Sequence, residues 1–228
     1  MGEGRVPGPL GAGGTVVRTP APLGARPART LGDFKREVIE RQIKYLRTTK
    51  GRSFIPAVPS SELEIIEGKH SMRRVAAGKC RELLAAARAD LADGKKAGDA
   101  AAKATTSIVI HSAYRSFAED SAAWEGTFRE HYQKLLDERL FPGEELGTRA
   151  LQHILKIMIA FKAPPGFSNH SNGLAVDFGT TFRGHYLGAK SKLRPKWRAT
   201  WLHPWLKENA ASHGFKPLST EEWHWDFA

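Results

Sequence analysis

Strand-like segments are few and short in this sequence, and long helical patterns separate them. The β-branched run from Ile108 to Ile110 suits a buried strand, and WHWDF (223–227) alternates as a half-buried strand does. No repeat period is visible. With a length of 228 residues, these features predict one core and an α+β fold, in which helices flank a small antiparallel sheet. Such a sheet can hold a functional site rigidly.

Apolar side chains recur at helical spacing in five segments of the chain. The predicted helices span about 30–46, 71–91, 117–139, 148–161 and 204–213. Thr30 or Asp33 could cap the first of them. Residues 48–64 and 93–106 are predicted to be loops, because the first contains two prolines and the second is rich in Gly and Lys.

Composition divides the chain into three regions. Residues 1–29 are rich in Gly, Pro and Arg, which predicts a flexible tail that could be a loading arm or a plain linker. Residues 30–70 form a helix and loop extension that packs on the main domain, residues 71–228. No apolar run approaches the roughly 18 residues of a membrane span, and the N-terminus lacks a signal-peptide pattern. We therefore expect synthesis in the cytoplasm and action elsewhere only after release or delivery.

The formal net charge of +11 suggests an anionic partner, such as nucleic acid, a membrane surface or an acidic cell-wall polymer. The basic residues are dispersed, and no recognition-helix or RNA-motif signature accompanies them, so nucleic acid is not expected. The single cysteine, Cys80, lies in an apolar helical pattern, which predicts a buried thiol and no intrachain disulfide.

Two separated segments carry residues that suit a metal site. In SNHSNGLAVD (168–177), His170 and Asp177 supply an imidazole and a carboxylate, both good zinc donors, and Asn172-Gly173 favours a tight turn between them. A catalytic zinc ion typically keeps three protein ligands and one open position. The leading candidate for the third ligand is His224, in EEWHWDF (221–227).

A nearby carboxylate distinguishes this pattern from a purely structural zinc site. Such a group can accept a proton from a water on the metal, because the ion lowers the pKa of that water from 15.7 to about 7. Glu221 and Glu222 both precede His224. They would tend to face opposite ways in an extended segment, and geometry alone does not choose between them.

These residues carry a family resemblance. SNHSNGLAVD (168–177) and EEWH (221–224) resemble the paired S-x-H-x-x-G-x-A-x-D and E-x-W-H motifs of the VanY-like D-alanyl-D-alanine carboxypeptidases, which share a zinc peptidase fold with lysostaphin and hedgehog. SAYRS (112–116) resembles the S-x-Y-R-S motif of that family, and WLKENAASHGF (205–215) resembles the helix before its last strand. The resemblance covers roughly residues 72–228.

The resemblance implies a hydrolase with one Zn²⁺ per chain that acts on D-alanine-containing peptidoglycan stem peptides. Its metal ligands would be His170, Asp177 and His224, and Glu221 would be the general base. Arg115 would bind a substrate carboxylate or carbonyl oxygen. The other positions that the motifs place at the substrate are Ser112, Tyr114, Ser168 and Trp223.

The sequence departs from the family pattern in two respects. Asp120 stands where the family commonly has Gln, and its carboxylate could repel an acidic substrate terminus or pair with Arg115. The stretches after Arg115 and after Phe178 are longer than usual, and the second contains the basic segment FRGHYLGAKSKLRPKWR (182–198). We expect that segment to form a surface loop near the cleft, where it could hold an acidic cell-wall polymer.

The residues leave several functions open. The protein could be a carboxypeptidase or an endopeptidase that cuts D-alanine cross-links, and a zinc-containing binding module without catalysis is the alternative in another class. Its setting could be that of a phage lysis enzyme, a delivered toxin loaded into secretion or injection machinery through residues 1–29, or a domain of a longer exported chain.

Overall fold

The computed structural model describes Met1 and residues 29–228. The tail predicted at 1–29 therefore lies almost entirely outside the described residues. The helices of the described part are α1 (Leu31–Lys50), α2 (Arg74–Lys96), α3 (Ala100–Ala104), α4 (Phe117–Asp137), α5 (Thr148–Phe161), α6 (Arg194–Arg198) and α7 (Leu202–Asn209). The strands are β1 (Leu63–Glu67), β2 (His70–Arg73), β3 (Thr105–Ser112), β4 (Ala175–Phe182), β5 (His185–Leu187), β6 (Phe215–Leu218) and β7 (Glu221–Phe227).

Five strands form the main sheet, which is antiparallel throughout. Its order is β3-β4-β7-β6, and β5 returns from β4 as a hairpin. Strands β1 and β2 form a separate hairpin. The predicted α+β fold with a small antiparallel sheet is confirmed.

The described residues form two hydrophobic cores, so the prediction of a single core is wrong. The main core lies between α2 and the sheet and includes apolar side chains of α6 and α7. The second core joins α1, α4 and α5, because each helix turns an apolar stripe towards the other two. The residues of this core are Phe34, Val38, Trp124, Phe128, Leu135, Ala150, Leu151, Ile154 and Met158.

The first helix begins with a reciprocal cap. Thr30 is the N-cap residue and its hydroxyl accepts from the backbone of Asp33, while the Asp33 carboxylate accepts from the backbone of Thr30. Both candidates from the sequence therefore contribute to the same cap. The helix continues to Lys50 and ends at Gly51, whose φ of 62° suits the left-handed C-terminal turn.

The basic segment 182–198, predicted to be a surface loop, contains β5 and α6 instead. Two other sequence predictions of secondary structure are wrong in part. The helix expected at 71–91 starts only at Arg74, because residues 70–73 pair with β1 and bury Met72 against the main core. The loop expected at 93–106 contains the end of α2, the short helix α3 and the start of β3. Tertiary pairing, which local periodicity does not show, decides both segments.

Cys80 is buried in α2, as expected, and burial raises the pKa of its thiol to about 12. Among the described residues, the structure contains no helix with the length and hydropathy of a membrane span.

Candidate metal centre

Adjacent strands and one turn bring the three candidate metal ligands together. Asp177 on β4 lies directly opposite His224 on β7 in the antiparallel ladder, and His170 lies in the turn before β4. All three residues are buried, with at most 7% of their surface exposed. Their potential ligand atoms lie within 4.8 Å of one another.

The turn that carries His170 depends on Gly173. Its backbone N–H donates to the carbonyl of His170 at 3.1 Å, and its φ of 68° is one that other residues rarely adopt. A Cβ at this position would lie 3.0 Å from the backbone nitrogen of Arg73 on β2. The predicted Asn172-Gly173 turn is therefore present, and it is packed against the β1-β2 hairpin.

Hydrogen bonds behind the site fix which nitrogen of each imidazole faces inwards. Nδ1 of His170 lies 2.7 Å from the carbonyl oxygen of Ala113, and Nε2 of His224 lies 2.9 Å from a carboxylate oxygen of Asp226. Both partners are acceptors, so each of these nitrogens carries its proton. When both rings are neutral, the opposite nitrogens therefore present lone pairs, and these nitrogens lie only 3.2 Å apart. Two acceptors at this distance need a cation between them.

The spacing of the ligand atoms suits a tetrahedral zinc ion. Two donors that each lie 2.0–2.1 Å from such an ion are about 3.3 Å from one another. Nε2 of His170 lies 3.2 Å from Nδ1 of His224 and 3.3 Å from Oδ2 of Asp177, and Nδ1 of His224 lies 2.9 Å from Oδ1 of Asp177. Two imidazoles and a carboxylate are also a donor set that zinc prefers.

The electrostatics of the site favour positive charge between the candidate ligands. Burial lowers the pKa of His224, but hydrogen bonds with Asp177 and Asp226 outweigh burial and raise it to about 10. Burial also opposes ionisation of Asp177, yet His170 and His224 hold the pKa of that carboxyl well below its usual range. Positive charge is therefore favoured between these side chains, and a bound metal cation would supply it.

Arg115 reaches the metal centre from the loop after β3. Its Nη1 lies 4.0 Å from Oδ2 of Asp177 and 3.2 Å from the hydroxyl of Ser112, and its Nη2 lies 3.4 Å from the hydroxyl of Ser168. Nε donates to Asp120 at 2.7 Å. The guanidinium group is therefore anchored on one edge and directed towards the metal ligands on the other.

Asp120 is a buried carboxylate with both oxygens occupied. It is 3% exposed, and its second oxygen accepts from the hydroxyl of Ser171, the residue after the ligand His170. Of the two alternatives raised by the sequence, the structure shows the pairing with Arg115.

The two candidate carboxylates before His224 have different partners. Glu222 is bound by Arg194 through two nitrogens, at 2.8 and 3.2 Å, and by Arg198 at 2.7 Å. Glu221 is half-buried and accepts from the indole nitrogen of Trp223 at 3.1 Å. Glu222 is therefore engaged in holding α6 to β7, which leaves Glu221 as the candidate carboxylate for chemistry.

The remaining predicted substrate residues differ in accessibility. Trp223 is 3% exposed and packs in the main core, so it can act on the site only through Glu221. Tyr114 is half-buried, and its backbone N–H donates to Ser71 at 2.9 Å.

Lys162, at the end of α5, is a residue near the site that sequence reasoning missed. Burial lowers the pKa of its ammonium group, and nearby Arg115 lowers it further, whereas Asp120, Asp177 and Glu221 raise it. The charges of these groups therefore act on the ammonium group of Lys162. No local motif marks it, because its position depends on the packing of α5 and on Gln42 of α1, whose side-chain amide donates to the carbonyl of Lys162 at 2.8 Å.

Several solved structures are similar to this one. The structure of VanYB in complex with D-alanine-D-alanine has a TM-score of 0.50 and 21% identity, covering 77% of this chain and 81% of that chain. A VanY D,D-pentapeptidase variant from a VanB-type vancomycin resistance cassette, in complex with Zn(II), has a TM-score of 0.47 and 19% identity, over 76% and 85% of the two chains. The LD-carboxypeptidase LdcB has a TM-score of 0.46 and 19% identity, over 77% and 70%.

Sequence comparisons give a family. The comparison with curated proteins gave no match. The family model of VanY, D-alanyl-D-alanine carboxypeptidase, matches residues 89–228, which is more than half of the chain and includes all three candidate metal ligands. This chain therefore belongs to the VanY D-alanyl-D-alanine carboxypeptidase family, a family of hydrolases that act on peptidoglycan peptides.

Proposed function

We propose that this protein is a zinc-dependent carboxypeptidase that removes the terminal D-alanine from peptidoglycan stem peptides. The observation that carries the proposal is the pair of inward-facing imidazole lone pairs, 3.2 Å apart beside Asp177, with Arg115 directed at the same point. The ligand of the VanYB structure, D-alanine-D-alanine, gives the substrate class.

His170, Asp177 and His224 would hold the zinc ion. When bound, zinc supplies Lewis acidity, which lowers the pKa of a water from 15.7 to about 7 and polarises a carbonyl group. Glu221 takes a proton from the attacking water and passes it to the leaving amine. The indole N–H of Trp223 holds the Glu221 carboxylate in place for these transfers.

Arg115 binds the carboxylate at the end of the substrate. Its planar fork can donate two parallel hydrogen bonds to such a group, and its Nη1 and Nη2 lie on the side away from Asp120. Ser112 and Ser168 hold this orientation. A terminal carboxylate uses that fork fully, whereas the amide of a cross-link does not, so we favour the carboxypeptidase over the endopeptidase.

The direct test is hydrolysis of defined peptides by the zinc-loaded protein. A stem pentapeptide and a cross-linked dimer are incubated separately, and the products are read by mass spectrometry. Loss of one D-alanine from the pentapeptide supports the proposal. Cleavage of the dimer alone would make the protein an endopeptidase, and cleavage of neither would overturn the proposed function.

The basic segment 182–198 is proposed to hold an acidic wall polymer near the cleft. Arg194 and Arg198 are engaged by Glu222. The remaining cations of the segment are exposed on its surface: Arg183, Lys190, Lys192 and Lys196. These exposed cations can bind a polyanion electrostatically.

The biological setting proposed is that of a lysis enzyme or delivered toxin that acts on the wall or in the periplasm, with residues 1–29 as a docking arm. Lysis that occurs only when the protein is directed to the periplasm would support this setting. Equal lysis from the cytoplasm would contradict it.

Replacing Asp120 with asparagine should lower both stability and substrate affinity. The change preserves shape but leaves the charge of Arg115 without its buried partner, which typically costs on the order of 3 kcal/mol. We expect that loss in the free energy of unfolding and a rise of about tenfold or more in KM. Asp137→Asn, on the exposed end of the same helix, is the matched control. An unchanged KM in a folded variant would show that Asp120 does not position Arg115.

A further inference from the structure

A histidine and a tyrosine form a hydrogen-bonded pair over strand β4, and the proposed function gives neither of them a role. Nδ1 of His111, on β3, lies 2.8 Å from the hydroxyl of Tyr186, on β5. The two strands lie on opposite sides of β4, so the pair reaches across that strand. Tyr186 is 51% exposed, which makes the pair accessible.

Two glycines make room for this pair. A Cβ at Gly179 would lie 2.5 Å from the hydroxyl oxygen of Tyr186, and a Cβ at Gly188 would lie 2.8 Å from Cε1 of His111. Any side chain at either position would push the pair apart. Such close packing holds the two rings in one arrangement over a bare stretch of sheet.

The pair lies on the same face of the sheet as the metal ligands. Gly179 follows Asp177 by two residues, and side chains two apart in a strand share a face, about 7 Å from one another. Arg115 lies in the opposite direction, because it follows Ser112, which pairs with Asp177 at the end of β3. Arg115 and the His111-Tyr186 pair therefore lie on either side of the metal centre along the sheet.

The chemistry of the pair suits an acceptor group on a ligand. A neutral imidazole and a phenol have one proton each, and their mutual hydrogen bond uses one of them. Whichever group donates, one N–H or O–H remains for a ligand. Burial lowers the pKa of His111, and Lys190 lowers it as well while Asp177 raises it. Lys190 is exposed, and its backbone N–H donates to the carbonyl of Gly188, the glycine that packs against His111, so it adds a cation beside the pair.

We infer that His111, Tyr186 and Lys190 form a subsite for a carboxylate on the acyl side of the substrate. The inference rests on the proposed function, since Arg115 takes the leaving residue and the acyl side then extends the other way. At about 3.3 Å per extended residue, 7 Å corresponds to the second or third residue before the scissile bond. In stem peptides that carboxylate comes from γ-linked D-glutamate or from diaminopimelate.

Matched peptides test the subsite. Three pentapeptides carry D-glutamate with lysine, D-isoglutamine with lysine, or D-isoglutamine with diaminopimelate, and acetyl-D-alanyl-D-alanine lacks the acyl side. We expect kcat/KM of the wild-type protein to be at least tenfold higher for a carboxylate-bearing pentapeptide than for the peptide with D-isoglutamine and lysine. A preference for the first peptide would assign the carboxylate to D-glutamate, and a preference for the third would assign it to diaminopimelate. Tyr186→Phe and Lys190→Gln should each remove this preference and leave the turnover of acetyl-D-alanyl-D-alanine unchanged. The control Tyr45→Phe should leave the turnover of all four substrates unchanged.

Binding gives a readout that does not need turnover. Calorimetric affinity for the tetrapeptide product with the preferred carboxylate should fall about tenfold in Tyr186→Phe and Lys190→Gln. Wild-type cleavage with an unaltered preference and affinity in both variants would overturn the subsite while the proposed function stands. If no peptide is cleaved, the proposed function fails, and the calorimetry still decides the subsite.

Discussion

Replacing Glu221 with alanine is expected to abolish peptide cleavage while zinc content stays near one ion per chain. The carboxylate precedes the candidate ligand His224 by three residues on β7, and the indole of Trp223 donates to it at 3.1 Å. It is not one of the three clustered ligand residues. Loss of a positioned general base typically lowers a rate by 10²- to 10⁴-fold, so we expect kcat to fall about a thousand-fold.

The measurement pairs kcat for the stem pentapeptide with metal analysis of the same sample. Glu222→Gln is the matched control, because it changes the adjacent carboxylate, which Arg194 and Arg198 bind. That control should unfold more easily yet keep wild-type kcat at a temperature where it is folded. Full activity in Glu221→Ala would remove the proposed base, and loss of activity in the folded control alone would assign the role to Glu222.

The sequence was most informative where function depends on local motifs. The segments 168–177 and 221–224 contain all three residues that the structure clusters, because a turn and a two-strand ladder suffice to join them. The ends of α5 were also predictable, because its apolar spacing and the prolines after it are local signals. Long-range pairing explains what failed, as in the β1-β2 hairpin that shortens the helix expected at 71–91.

Support for the site was not predictable from motifs, because it comes from distant residues. Gln42, 1% exposed on α1, accepts from the indole of Trp124 on α4 and donates to the carbonyl of Lys162 after α5. Arg115 immediately precedes the Ser116 cap of α4, and Asp120 lies in the first turns of that helix. The N-terminal helix therefore steadies the substrate side of the cleft, although the motifs gave it no role.

The same reasoning explains why the two sides of the cleft differ. The side chain of Arg115 is 19% exposed and anchored by buried Asp120 at Nε, which leaves its two terminal nitrogens to recognise one small terminal group. The His111-Tyr186 side is half exposed and rests on glycines, which leaves space for a longer peptide. A cleft with one closed and one open end fits removal of a single terminal residue.

Replacing Asp177 with alanine is expected to eliminate both bound zinc and peptidase activity. The aspartate is the only anionic ligand among the three clustered residues, and without it two neutral imidazoles remain. We expect no zinc after dialysis, activity at the detection limit, and no rise in Tm when zinc is added, whereas zinc should raise the Tm of the metal-depleted wild-type protein.

A graded variant separates loss of a ligand from general damage to the site. Asp226 contacts Nε2 of His224 at 2.9 Å and orients it without belonging to the ligand cluster, so Asp226→Asn should weaken zinc binding only about 10- to 100-fold. Excess zinc should then restore its activity but not that of Asp177→Ala. Asp93→Asn, on the exposed end of α2, should match the wild-type protein in every measurement. A full zinc complement in Asp177→Ala would contradict the assigned ligand set, because two imidazoles alone should not retain the ion through dialysis.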